Sequence, residues 1–378
     1  MDFAFNEEQR SLGETVAKVL ADFPALTGPD PERGQDDAAW QALAELGLFS
    51  LLVSEADGGV GLTLIDVALA VEALGSGLAP SLVASTLIAT ELLNRFGTAT
   101  QKAKFLPQVA AGELRIAIAA AEAGVGDAPG AVACSSTGGR LSGTKIAVAG
   151  AVDADLLLVL AKGEAGPALI LVDPTASGVT IREHEALDPS AGLCEVRLAD
   201  VAVESTAILG QGSAGEAVET LIDVAATFHA GMAMGIAARM QDLAVEYAKT
   251  RQQFGQAIGA FQSIKHRCAD MAVAVEVGRA TAYYAFWACT GNEPDRSRSA
   301  SAAKAYCSEI ARDVCNDAIQ IHGGMGFTWE LGLHRYLRRA KVIEHAFGGR
   351  AWHYARVTTE TLAMRGDTGE ALPERRVA

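Results

Sequence analysis

The stretch Arg251-Gln252-Gln253-Phe254-Gly255, with Gln262 soon after it and Gln320-Ile321-His322-Gly323-Gly324-Met325-Gly326 further on, decides how this chain is read. An arginine can grip a pyrophosphate in fork geometry, glutamine amides can bracket ribose and adenine edges, and adjacent glycines let backbone approach phosphates closely. Taken as residues, Arg251, Phe254, Gln262, Gln320, Gly323 and Gly324 point to the phosphate-and-amide half of a dinucleotide site. Plainer alternatives stand beside this reading. Arg251 could serve a surface ion pair, the glutamines could be solvated helix positions, and the glycines could end a helix, where glycine is common.

The longer strings Tyr247 to His266 and Ala318 to Thr328 closely resemble the C-terminal domain of acyl-CoA dehydrogenases, flavoproteins that desaturate acyl-CoA thioesters between the alpha and beta carbons. The resemblance extends outward to Phe5-Asn6-Glu7-Glu8-Gln9, to Gly47 through Gly59, and to Phe96-Gly97-Thr98 through Pro107 and Gly112-Glu113. It implies an α+β architecture: an N-terminal helical domain over residues 1–116, a middle β-barrel-like domain over 117–208, and a C-terminal four-helix bundle over 209–378 that carries the FAD phosphate and adenosine contacts. It also implies FAD as cofactor, an acyl-CoA substrate and an electron-transfer acceptor.

Periodicity supports three zones. Apolar residues at three- and four-residue steps, such as Leu12, Val16, Val19 and Leu20, then Val67, Val71 and Leu74, predict helices in the first zone. Short apolar runs broken by Gly, Asp-Pro and Ser-Gly predict strands in the second: Ala131 to Cys134, Leu156 to Leu160, Ala168 to Val172 and Cys194 to Leu198. Long helical patterns return over Glu216 to Thr250, Ser263 to Gly291, Ser297 to His322, and from Glu330 onward.

Half of the 378 residues are apolar, yet no uninterrupted apolar run suggests a membrane span. The acidic start Met1-Asp2-Phe3-Ala4-Phe5-Asn6-Glu7-Glu8 lacks the positive charge of a secretory signal, so a cytoplasmic location is expected. The six cysteines lack Cys-x-x-Cys spacing and read as buried free thiols rather than a metal or disulfide framework. A net charge of −15 argues against nucleic-acid binding. FAD and CoA are polyanions too, so their site must gather local positive charge against that background.

The chemistry the resemblance implies needs a glutamate to remove the alpha proton while the beta hydride passes to the flavin. Family members place that base at one of two positions. The commoner follows an Arg-x-Ala-x-x-x-Glu-x-x-Glu-Gly-Thr run, which here reads Arg338-Arg339-Ala340-Lys341-Val342-Ile343-Glu344-His345-Ala346-Phe347-Gly348-Gly349, with Phe347 at the base position. The other lies ten residues before Gly235 and is Ala225. The family's Lys-x-Trp-Ile-Thr loop is Lys145-Ile146-Ala147-Val148-Ala149, without aromatic wall or hydroxyl. Ala119 to Gly124 has no hydroxyl ahead of Glu122, and the Asp-x-x-Arg run is Asp223-Val224-Ala225-Ala226. Among replacements, Glu344 reads first as a structural carboxylate paired with Arg338 or Lys341. Asp223 lies two helix positions from Ala225 and so points about 200° away.

What the chain would lend to a neighbour is kept, and what it would use itself is gone. The resemblance therefore implies the subunit of a heteromeric dehydrogenase, a two-plus-two heterotetramer as in actinobacterial steroid catabolism, in which a paralogous catalytic chain supplies the glutamate. Two alternatives remain open: a self-sufficient homo-oligomer using Glu344, and a non-catalytic binding or assembly module of the same fold.

Overall fold

The computed structural model describes residues 5–28, 35–124, 132–210 and 213–365. Among the described residues, five helices come first: α1 (Glu7–Ala21), α2 (Gln35–Glu45), α3 (Ala68–Ser76), α4 (Ser81–Phe96) and α5 (Ala99–Ala110). Two start on reciprocal caps. Asn6 accepts the Gln9 N–H while the Gln9 side chain accepts the Asn6 N–H, and Thr98 and Gln101 repeat the arrangement at α5. Eight strands follow: β1 (Ile116–Ala119), β2 (Ser135–Thr137), β3 (Arg140–Ala149), β4 (Leu156–Gly163), β5 (Gly166–Val172), β6 (Val179–Glu183), β7 (Leu193–Ala202) and β8 (Ile208–Leu209). They form one sheet in the order β6-β7-β3-β2-β4-β5-β8, with β1 parallel to β4.

Helices α6 (Ala214–Thr250), α7 (Gln262–Gly291), α8 (Arg296–His322), α9 (Leu333–His345) and α10 (Arg350–Arg365) complete the fold. Helix α6 is its spine, packing on α3, α7 and α8 and also on β5. Its crossing with α3 is so close that a Cβ at Gly235 would lie 1.9 Å from the Glu72 carbonyl oxygen, and one at Gly75 2.0 Å from that of Met232. Only glycine permits this approach.

Helix α6 is long and apolar enough to cross a membrane by length and composition, but 89% of that window is buried inside the protein, because a central bundle helix must be apolar nearly all round. Two expectations need correction. The run read as strand at Ala131 to Cys134 is not strand over residues 132–134, and Ala131 lies outside the described residues. The Ala133 and Cys134 amides that a strand would give to a neighbour go instead to the Glu122 carboxylate. Finally, the helix expected from Glu330 onward is two helices. Phe347 and Gly348 adopt positive φ angles of 54° and 107°, which interrupt the helical path between α9 and α10.

Candidate functional site

Helices α6 and α8 finish at the same end of the bundle because the His322 ring stacks on Tyr247, centroids 4.3 Å apart and planes 25° from parallel. The His322 Nδ1–H donates to the Ala318 carbonyl at 2.8 Å, which fixes the ring. Arg251 is the C-cap of α6; its N–H donates to the Tyr247 carbonyl and its own carbonyl accepts the Ile258 N–H at 2.9 Å. This closes a hairpin of β9 (Gln252–Gln253) and β10 (Gln256–Ala257) whose turn residues, Phe254 and Gly255, have φ of 51° and 79°. A two-residue turn with both φ positive suits the twist of a hairpin. Phenylalanine is an unusual occupant, costing roughly 1–2 kcal/mol; the residue is 91% exposed, and its ring makes an edge contact to Phe261.

Gln262 opens α7, where Phe261 provides no side-chain cap, so that helix start keeps first-turn amides for an anion. Gln262 and Gln320 are both exposed, as are Lys249, Arg251, Lys265 and His266. Arg251 forms no ion pair among the described residues. Gly323 caps α8 with φ 60°, so the helix-ending role is real, yet added Cβ atoms at Gly323 and Gly324 would meet nothing within 4 Å. The glycine that packing demands is Gly326, whose Cβ would sit 2.4 Å from the Ile319 carbonyl oxygen. The structure thus brings all six sequence-predicted binding residues to one open, locally basic end of a strongly acidic chain. Open backbone, unfilled helix amides and an arginine free for fork pairing fit the ADP moiety of FAD.

The ring side is different. Lys145 is fully buried, with Nζ 2.5 Å from Glu122 Oε1 and donating to the Ala120 carbonyl at 3.1 Å. This pair and the Glu122 bonds to Ala133 and Cys134 hold the 120–122 segment onto β3, and Ile146 donates its N–H to Ala121. The β3–β7 register slips between Lys145 and Val148, and Ala147 there has φ 51°. The loop geometry is present, with a methyl group at Ala147 and another at Ala149. Asp223 is wholly buried and committed to packing: Arg296, Ser297 and Arg356 reach its carboxylate at 3.0, 2.8 and 2.6 Å.

Phe347 packs against His229, which lies one helical turn after Ala225 on α6. The His229 ring lies 5.4 Å from that of Phe347, and its Nδ1–H donates to the Ala225 carbonyl at 2.6 Å. Behind them, buried Lys304 donates from Nζ to the carbonyls of Glu344 and Gly348 at 3.0 and 3.3 Å, and buried His353 donates from Nε2 to that of Phe347 at 3.1 Å. Burial, with Lys304 nearby, drives His229 down to about 4 and His353 to about 3; burial brings Lys304 down to about 7 against the pull of Glu344. Both histidines are therefore neutral imidazoles at neutral pH.

Glu344 has both oxygens occupied, Oε2 by Lys341 at 2.8 Å and Oε1 by Arg312 at 3.3 Å. Burial acts to raise its carboxyl, but Lys341 and Arg312 overcome this and hold it below the ordinary range. The expected alternative partner Arg338 lies over Trp329 instead, 5.1 Å from the ring centroid. A carboxylate so held is a weak proton acceptor. Sequence reasoning overlooked His229, Lys304, His353 and Arg312. The usable signal was Lys304, a lone cation among small residues in Ser301-Ala302-Ala303-Lys304-Ala305.

The family described as acyl-CoA dehydrogenase, N-terminal domain, matches residues 6–113, and acyl-CoA dehydrogenase, C-terminal domain, matches residues 214–362. The chain is 34% identical to acyl-CoA dehydrogenase FadE34 of Mycobacterium tuberculosis over 97% of its own length but only 50% of that relative's. It superposes on the ChsE4-ChsE5 complex from Mycobacterium tuberculosis with a TM-score of 0.86 and 26% identity, covering 98% of this chain and 100% of that one. A variant of the Tcur3481-Tcur3483 steroid ACAD gives a TM-score of 0.85 and 30% identity, covering 95% and 99%.

Proposed function

Since the chain belongs to the acyl-CoA dehydrogenase family, whose cofactor is FAD, we propose that it is the subunit of a heteromeric acyl-CoA dehydrogenase that contributes contacts to the ADP moiety of FAD while a paralogous chain supplies the catalytic glutamate. The observation that carries this reading is that apolar side chains, Phe347 against the His229 ring and buried Ala225 on α6, occupy both positions where the resemblance would place the family's carboxylate. The exposed Arg251, Phe254, Gln262 and Gln320, beside open backbone at Gly323 and Gly324, are the complementary half.

In the assembly, Arg251 would pair with the pyrophosphate, the glutamines would bracket the adenosine end, and Phe254 would bury its ring against the other chain. The bound flavin supplies the hydride acceptor for the beta carbon; the alpha proton goes to the other chain's glutamate. The ChsE4-ChsE5 complex, a structural neighbour formed of two unlike chains, supports the heteromeric reading, and the Tcur3481-Tcur3483 steroid ACAD supports a bulky, steroid-like acyl group within lipid or steroid catabolism. A cytoplasmic site of action is part of the same proposal.

The test is to purify the chain alone, supply FAD and steroid-like or straight-chain acyl-CoA thioesters, and follow flavin absorbance. No bleaching is expected, and none with Phe347→Glu, because the ring-side aromatic and hydroxyl are also missing. Bleaching by the unaltered chain, lost in Glu344→Gln, would establish the self-sufficient enzyme instead.

A further inference from the structure

We infer that Tyr247 and His322 are positioning residues for the cofactor: their ring stack holds the Arg251 end of α6 in register with the Gly323–Gly324 end of α8, so that one ligand meets both. This role rests on the reading of that end of the bundle as the half that contacts the ADP moiety of FAD, and adds what sets its spacing. The candidate contacts sit on two separate excursions of the chain. Arg251 opens the hairpin of β9 and β10, while Gly323 and Gly324 open the turn that ends at Phe327. Among the described residues, no hydrogen bond or ion pair joins one excursion to the other. Their separation is set behind them, where half-buried Tyr247 meets buried His322 with ring centroids 4.3 Å apart and planes 25° from parallel.

Each ring is built into the backbone that launches its excursion. The Tyr247 carbonyl accepts the Arg251 N–H at 2.8 Å, and a Cβ at Gly259, on the return of the hairpin, would lie 2.9 Å from the carbonyl oxygen of Ala248, the next residue. The hairpin therefore goes where the last turn of α6 goes. His322 is the last residue of α8, held by its Nδ1–H bond to the Ala318 carbonyl. A Cβ at Gly326 would lie 3.1 Å from the His322 Cβ, so the 323–327 turn folds back onto the histidine itself. Arg267 of α7 and Asp317 of α8 also meet near this end, at 2.6 Å, but their side chains are 42% and 37% exposed, and a solvated pair of this kind contributes little. The ring stack is the stronger tie, because a packed aromatic pair contributes beyond its buried area and prefers a defined offset geometry. A pyrophosphate cannot adapt to two ends that slide, so fixing their separation before binding removes an ordering cost from association.

The experiment measures FAD retention by equilibrium dialysis in the assembled protein for Tyr247→Leu, Tyr247→Phe, Arg251→Lys and the double variant Tyr247→Leu with Arg251→Lys, alongside their unfolding midpoints. Tyr247→Leu should weaken retention about 2- to 10-fold, the range set by one aromatic pair. Tyr247→Phe keeps the ring and should retain FAD as the unaltered chain does, which a role for the hydroxyl would not allow. In the double variant the combined loss should fall short of the product of the two single losses, because an arginine already out of register has little left to lose. Should Tyr247→Leu prevent assembly, His322→Gln removes the stack from its other side and takes the same measurement. Full retention in the stack-deleted variant, equal losses in Tyr247→Leu and Tyr247→Phe, or losses that simply multiply would each overturn the positioning role. Arg251→Lys without effect on FAD would overturn the reading of the site itself, and the positioning role with it.

Discussion

His229 packs its ring 5.4 Å from that of Phe347 while its Nδ1–H donates to the Ala225 carbonyl one turn earlier on α6, so one neutral imidazole sits between α6 and the turn that follows α9. Lys304 and His353 pin the carbonyls of the 344–348 turn from behind, so the region is a buried, closely hydrogen-bonded cluster.

That packing has a pH signature. His229 and His353 lie at about 4 and about 3, below the ordinary 6.5, so between these values the unfolded chain binds protons the native chain refuses. The histidine contribution is complete above pH 6.5 and is lost as pH falls toward 4 for His229 and toward 3 for His353, at up to about 1.4 kcal/mol per pH unit for each titrating histidine. Lys304, at about 7 against 10.5, makes stability climb further from pH 7 upward. Denaturant unfolding across pH should show His229→Phe flattening the acid limb relative to the unaltered chain, and Lys304→Met flattening the alkaline one.

The Lys145–Glu122 pair is buried on both sides. Lys145→Met strands the carboxylate and should cost about 3–5 kcal/mol of unfolding free energy. Lys145→Met with Glu122→Gln should recover part of that, because the amide oxygen still accepts the Ala133 and Cys134 N–H groups. Calorimetry on the two variants checks the order.

Gly324 and Gly326 separate ligand approach from packing. Gly326→Ala drives a methyl into the Ile319 carbonyl and should lose about 1–3 kcal/mol of stability. Gly324→Ala meets open space, so its unfolding midpoint should hold while the assembled enzyme releases FAD more readily.

Arg251 is exposed, so Arg251→Lys should leave unfolding unchanged. Losing the fork geometry should weaken FAD retention by the assembly about 10-fold or more, the equivalent of roughly 1.5–3 kcal/mol for charge-assisted bonds. Equilibrium dialysis of the cofactor measures it.

Much of this was legible in the sequence because it depends on local rules. Helix periodicity located α6, α7 and α8 to within about two residues at each end, and the apolar runs at Leu156 and Ala168 found β4 and β5. Strand β3 was not read as a strand, since Arg140 to Ala149 mixes polar residues with a bulge at Ala147 that breaks alternation. The long helix expected after Glu330 hid the Phe347–Gly348 turn, which tertiary bonds from Lys304 and His353 impose. The substituents of the base positions could be named from spacing, whereas the imidazole beside Phe347 could not, because only the packing of the turn after α9 onto α6 brings Phe347 to His229.

Isolating the protein with its natural partners and counting FAD against each chain by mass spectrometry and absorbance distinguishes a shared flavin from one held by this chain alone. One FAD for every pair of unlike dehydrogenase chains, reducible by acyl-CoA only in the pair, is the predicted result. One FAD for each copy of this chain in an assembly of identical subunits, bleached by acyl-CoA, would contradict it.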